Sequence, residues 1–144
     1  MKASDHQPAI YLAGPIFQQS DSGCRGWRDE ARQRLTWATV LDPMDRDYRG
    51  AEQQNSKQIV NGDLADIRSA DALLANVSRP SWGTAMEIYY AHTIGVPVVG
   101  FGITAETACS PWLIHYCEEI TETMIYAVSV LHRLRTVSFR LEMP

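Results

Sequence analysis

Three short apolar runs, at Ala9–Ala13, 72–77 and 96–101, leave few folds open to this chain. A strand with one wet face alternates apolar and polar residues, whereas a strand apolar throughout must be covered on both sides, as in parallel sheets. The first run stops at Gly14-Pro15. Beyond it Trp27, Ala31, Leu35 and Ala38 recur at intervals of three or four, with Asp29, Glu30, Arg32 and Arg34 on the other faces, which predicts an amphipathic helix. Thr39–Leu41 reads as a further strand ended by Asp42-Pro43. A helix over 57–69 is expected to bury Ile59, Val60, Leu64 and Ile67, and another over 84–94 closes at Gly95, a residue suited to a left-handed cap. Ser110-Pro111 has the form of a helix start, and 123–134 predicts a last helix with Ile125, Val128 and Leu131 on its apolar side. Strands alternating with helices define an α/β fold. The polar stretch 44–56 reads as a long loop, and the tail 135–144 alternates at Val137, Phe139 and Leu141, which suits an edge strand or a subunit contact.

The chain has 144 residues, which fits a single domain over 1–144 with one site. A net charge of -4 supplies no broad basic surface, so nucleic acid is not an expected partner. No apolar run is long enough to span a membrane and the segment 1–8 is polar, so a cytoplasmic protein is expected. Cys24, Cys109 and Cys117 are odd in number and lack ligand spacing, which predicts reduced thiols. His6, His92, His115 and His132 show no ligand pairing, and neither a metal nor another cofactor is expected.

Ligands of an open parallel sheet bind beyond the carboxyl ends of its strands. The loops to inspect are therefore Gly14-Pro15-Ile16-Phe17, 78–84 and 103–110. Gly14 and Gly83 allow close backbone approach, while Ser81, Thr84 and Ser110 offer hydroxyls. Free N–H groups are expected where a helix opens at Thr84. Glu87 lies in an otherwise apolar stretch, and two readings of it are open. Thr84-x-x-Glu87 fits a capping box, in which the carboxylate only returns to the N-cap amide. Alternatively the helix N-terminus holds the carboxylate ionised as a nucleophile. Asp63 shares a helix face with Ile59 and Ile67 and so points toward the sheet, where a carboxyl needs a role or a partner. Asp66 is placed nearer solvent and Asp71 reads as a turn residue. Tyr11, inside the first strand, reads on its own as a core aromatic.

The ordered blocks Ile10-Tyr11-Leu12-Ala13-Gly14-Pro15, Asp63-Leu64 with Ala70-Asp71-Ala72-Leu73-Leu74-Ala75, Ser81-Trp82-Gly83-Thr84-Ala85-Met86-Glu87-Ile88 and Gly95-Val96-Pro97-Val98 resemble the nucleoside 2-deoxyribosyltransferase family, which includes the related 2'-deoxynucleoside 5'-monophosphate N-hydrolases. The resemblance implies a flavodoxin-like, doubly wound parallel sheet. It implies a double displacement at an N-glycosidic bond, with Glu87 as nucleophile, Tyr11 holding it, and Asp63 contacting the base or assisting proton transfer. Ser81, Gly83 and Thr84 match the sugar or phosphate loop. Ser110 matches a position that completes the neighbouring subunit's site, which implies a homodimer or higher oligomer. The partners implied are a nucleoside or nucleotide and a free nucleobase.

The chain also departs from the pattern. Ser81 stands where one transferase branch has an acid, which favours a monophosphate; Pro15 and Phe17 replace a Ser and an Arg of some hydrolases, which favours a nucleoside. Arg46, in the charged loop 42–50, is a candidate for base recognition or for the missing cation. Phosphoribohydrolases are a poorer match, because Pro80-Ser81-Trp82-Gly83 lacks their glycine pair. Transfer of the sugar to another base is the leading expectation, hydrolysis of a nucleotide the first alternative, and a non-catalytic nucleotide sensor the second.

Overall fold

The structure, a computed structural model, describes residues 7–103 and 110–141. Five strands, β1 (Ala9–Ala13), β2 (Thr39–Leu41), β3 (Ala72–Asn76), β4 (Val98–Phe101) and β5 (Glu119–Thr121), form one sheet in the order β2-β1-β3-β4-β5. Every pairing is parallel, with Tyr11 opposite Leu41 on one side and Leu73 on the other. This is the flavodoxin-like order, which reverses direction between β1 and β3.

Parallel pairing forces each connection across a face of the sheet, and the helices divide accordingly. Helices α1 (Asp21–Arg34) and α5 (Met124–Leu141) cover one face, meeting Ile10, Leu12, Leu74, Val99 and Phe101. Helices α2 (Ser56–Ser69), α3 (Trp82–Thr93) and α4 (Pro111–Tyr116) cover the other, over Tyr11, Ala13, Leu73, Ala75 and Val98. The odd residues of β1 therefore face α2 and α3. Ser20, Ser81 and Ser110 cap α1, α3 and α4 through their hydroxyls. Asp71 accepts from the Ala9 amide at 2.8 Å while its own amide donates to the Ala9 carbonyl at 2.8 Å, locking β3 in register with β1.

Several expectations need correction. The loop after β2 contains a 3₁₀ turn at Pro43–Arg46, initiated by Asp42, whose carboxylate accepts from the Met44 amide at 2.9 Å. In α2 only Ile67 is fully buried; Ile59 and Leu64 are half-buried and Val60 is exposed, because one side of this helix lies over the rim of the sheet. The buried face of α5 is Met124, Ala127, Val130 and Leu131, while Ile125 points outward. The tail is not an edge strand: α5 runs on to Leu141, and 142–144 lie outside the described residues. Strand β5 was not foreseen, for Glu119–Thr121 is short and only partly covered. Among the described residues no helix is long and apolar enough to cross a membrane.

Candidate active site

Glu87 sits in the second turn of α3, not in a capping box. The helix begins at Trp82 with Ser81 as N-cap, so the reciprocal bond proposed for Thr84 and Glu87 is not made; the Ser81 hydroxyl accepts from the Thr84 amide at 3.4 Å. The leading amides are those of Trp82 and Gly83. Two turns of α3 face two different ways. Gly83 and Glu87 share the side toward β1 and α2, whereas Thr84, Ala85, Ile88 and Tyr89 line a separate cavity toward α4.

On the Glu87 side, side chains from four elements converge. Tyr11, fully buried on β1, faces the carboxylate and favours its ionised form, although the hydroxyl stops short of hydrogen-bond geometry. The enclosed Oε2 of Glu87 and the Tyr11 hydroxyl thus both lack a hydrogen-bond partner among the described residues. Burial, with the charge of Asp63 added, pushes the Glu87 carboxyl up to about 8; Tyr11 and Arg28 act in the opposite sense. Burial likewise raises the Tyr11 phenol far above its usual range, helped by Glu87 and Asp63, so the group stays protonated.

Asp63 projects from α2 and pairs with Arg46 at 2.9 Å; the same guanidinium reaches Asp66 at 2.7 Å. Burial raises the Asp63 carboxyl above its ordinary value, and Arg46 opposes that shift. Arg46 is therefore already engaged by two carboxylates rather than free to bind an anion. Gly62 makes the arrangement possible, since a Cβ there would lie 2.8 Å from Arg46 Nε. Asp66 is drawn into this pairing and is less solvated than its spacing suggested.

Gly14 also has a different reason for being glycine. A Cβ on it would lie 2.4 Å from Trp27 Cζ2, so its bare Cα accommodates the indole. Pro15 is buried, while Phe17 is 64% exposed beside Gln18, whose φ of 59° lies in the left-handed region. A non-glycine residue there is uncommon and turns the loop so that Phe17 projects from it. Gly83, by contrast, has open space: the single atom within 4 Å of a Cβ would be Glu87 Oε1 at 3.6 Å. Chain packing does not require glycine at this position.

Ser81, Thr84 and Ser110 are brought together, but in the other cavity, about 740 Å³ in volume, between α3 and α4. Thr84 is buried there and its hydroxyl lacks a partner among the described residues. Ser110 caps α4 by accepting from the Trp112 amide at 3.2 Å. The rest of the strand-four loop, 104–109, lies outside the described residues. Sequence reasoning missed Arg28 and Arg79. Arg28 sits in α1 with its guanidinium buried beneath the Glu87 side, and Arg79 is exposed at the mouth of the cavity. A lone arginine among the charges of α1 gave no signal, although its place next to the inward-facing Trp27 was a usable clue. Among the described residues no group of three potential metal ligands occurs. Cys24 and Cys117 are buried and form no disulfide among the described residues, and Cys109 lies outside the described residues.

Fold and site together define a flavodoxin-like α/β protein with enclosed carboxyls at the point where the strand order reverses. The nucleoside 2-deoxyribosyltransferase family model matches residues 10–125, and the chain belongs to that family. It is accordingly an enzyme of the N-glycosidic-bond type rather than a passive sensor. A search of curated proteins gives no match. Among solved structures, a conserved protein from Enterococcus faecalis V583 is similar at 21% identity and a TM-score of 0.56, over 88% of this chain and 87% of that one. The 2-deoxyribosyltransferase of Bacillus psychrosaccharolyticus is similar at 18% identity and a TM-score of 0.54, over 83% and 95%. These two likenesses concern the fold.

Proposed function

We propose that the enzyme moves a 2-deoxyribosyl group from one nucleobase to another through a glycosyl ester on Glu87. The observation that carries this reading is the enclosed, unpartnered Glu87 oxygen facing Tyr11, with open space over Gly83. A carboxylate oxygen of Glu87 attacks the anomeric carbon, the bond to the base breaks with its electron pair on the base nitrogen, and the departing base accepts a proton. A second base then attacks the same carbon, its N–H proton passing to the carboxylate left on Asp63, and Glu87 leaves as carboxylate, so two inversions give net retention. Dividing one hard substitution into two lowers the barrier of each, and protonation of the leaving base stabilises the charge it acquires. Asp63 suits the proton donor, since burial favours its protonated form. Tyr11, protonated throughout, steadies the carboxylate from the sheet side.

A nucleoside rather than a nucleotide is supported by the state of the nearby cations: Arg28 and Arg46 are both paired with carboxylates. Arg79, exposed beside the start of α3, favours the second reading, hydrolysis of a 5'-monophosphate to base and sugar phosphate. Product chromatography separates the two. Incubation of a deoxynucleoside with a second free base is expected to yield a new nucleoside; release of base without exchange, and only from monophosphates, would replace transfer by hydrolysis.

We also infer a homodimer joined through the α3–α4 face. There Trp82 is 86% exposed and Trp112 is 67% exposed, together with exposed Met86, Tyr89 and Ile114, and clustered exposed apolar side chains of this kind mark interaction surfaces. Covering the cavity with a second copy would bring Ser110 of each chain to the interface.

A further inference from the structure

Arg28 and Asp42 are the two buried charged residues of the described chain, at 1% and 6% exposure. Their Nε and Oδ1 atoms lie 3.2 Å apart. A buried ion pair is weak as a stabilising device, because desolvation offsets most of its attraction, and an apolar pair often serves the fold as well. The surroundings of Arg28 suggest another use. Its Nη1 donates to the Cys24 carbonyl at 2.8 Å and its Nη2 to the Gly14 carbonyl at 3.1 Å, while the Trp27 ring lies 4.4 Å from Cζ. The guanidinium is thereby fixed at the carboxyl ends of β1 and β2, between the Gly14 carbonyl and Asp42, at the end of the sheet where Tyr11, Asp63 and Glu87 converge, and its charge opposes the effect of burial on Glu87.

We propose that Arg28 is a positioning residue of the active site, a fixed counter-charge that lets Glu87 carry a negative charge in an enclosed setting, with Asp42 limiting its strength. Among the described residues, the charged and titratable groups that act on Glu87 come from three elements: Tyr11 of β1, Arg28 of α1 and Asp63 of α2. Arg46 neutralises part of Asp63, and Asp42, itself shared with Arg32 at 3.3 Å, neutralises part of Arg28. Two half-buried carboxyls thus face one buried cation. Arginine suits the task because it stays protonated when desolvated and because its planar fork can be fixed by several carbonyls at once. This role rests on the reading of Glu87 as nucleophile, but it makes an electrostatic statement that can be read without turnover.

The test is a carbon-13 NMR titration of glutamate carboxyls in the wild type, R28M and D42N, with the Glu87 signal assigned by its loss in E87Q. R28M removes the cation and is expected to raise the Glu87 midpoint by roughly one pH unit or more, the effect of a nearby opposite charge. D42N strengthens the cation and is expected to lower it. Opposite shifts are the signature of charge; shifts in one direction, or none, overturn the proposal, because loosened packing would move both variants alike. If R28M does not fold, D42N decides: a lower midpoint supports the proposal and an unchanged or higher one overturns it. A failure of the nucleophile reading looks different, since E87Q would then keep its turnover whatever the titration gives.

Discussion

Gly14 and Trp27 occupy adjoining space so tightly that a methyl group on Gly14 would stand 2.4 Å from the indole. The same glycine's carbonyl accepts from Arg28, one residue along α1 from that indole. The end of β1 is therefore fastened to α1 by shape and by charge together. G14A is expected to destabilise the fold by about 1–3 kcal/mol, the usual effect of overpacking. A denaturant midpoint equal to wild type would show that the indole moves aside freely.

Gly83 should behave in the opposite way. G83A places its methyl in ordinary contact with Glu87 Oε1 at 3.6 Å and removes a flexible residue from a helix, so stability is expected to rise by about 0.5–1 kcal/mol. Activity should nonetheless fall, chiefly through a higher KM, if substrate approaches over this position. Unchanged kinetics would move the sugar elsewhere.

The Glu87 carboxyl, pushed up to about 8 by burial, predicts a pH profile. The proposed nucleophile would act ionised, so kcat/KM is expected to climb as pH rises through about 8 and to fall below it. Stability runs the other way. Because the folded-state value lies above the ordinary value of 4.5, the stabilisation from the neutral acid is complete below that value and is lost as pH rises toward about 8. E87Q, which cannot ionise, should melt at a higher temperature than wild type near pH 8 and differ less near pH 4. Parallel melting curves across that range would contradict the burial of this group.

Arg46 joins Asp63 and Asp66, and R46M leaves both partly buried carboxylates without that cation. Loss of about 1–3 kcal/mol is expected from the missing charged hydrogen bonds. Asp63 should also titrate higher than in wild type, and the loss of stability should shrink on acidification as the carboxyls become neutral. A deficit independent of pH would mean that Arg46 serves as packing.

Substitution of Trp112 by Asp should separate the inferred dimer without unfolding the chain, because this ring is largely exposed on a short helix. Sedimentation velocity is expected to report a monomer where wild type reports a dimer. A wild-type monomer at high concentration would leave the aromatic face for another partner.

Much of the sheet was legible because its inner strands β1, β3 and β4 are mostly apolar: Ala9–Ala13 coincides with β1, Leu73, Leu74, Val98 and Val99 fall where the runs predict, and the edge strand β2 lies at Thr39–Leu41 as expected. Strand β5 was not legible, since three partly covered residues with Glu119 among them carry no run. Nor was the phase of α5, where Ile125 is more apolar than Ala127 yet lies outside; helix rotation is decided by the partner face, not by the residue alone. At the site, Tyr11, Asp63 and Glu87 were singled out as residue types in a family pattern, and they come together on one side of α3. The pairing of Arg46 with Asp63 and Asp66 was not readable, because charges in a polar loop carry no sign of which carboxylates they will meet. Gly14 was noticed for flexibility when its neighbour Trp27 was the reason.

The order of the chain adds a consequence for biosynthesis. Tyr11, Arg28, Asp63 and Glu87 have all been made once residue 87 leaves the ribosome, yet Ile10, Leu12 and Leu74 on the reverse of the sheet wait for Ala127, Val130 and Leu131 to cover them. A nascent chain with its candidate site residues in hand still exposes an oily sheet face that invites aggregation. A stop codon just before Met124 would therefore strand a polypeptide that contains the chemistry and lacks the shelter.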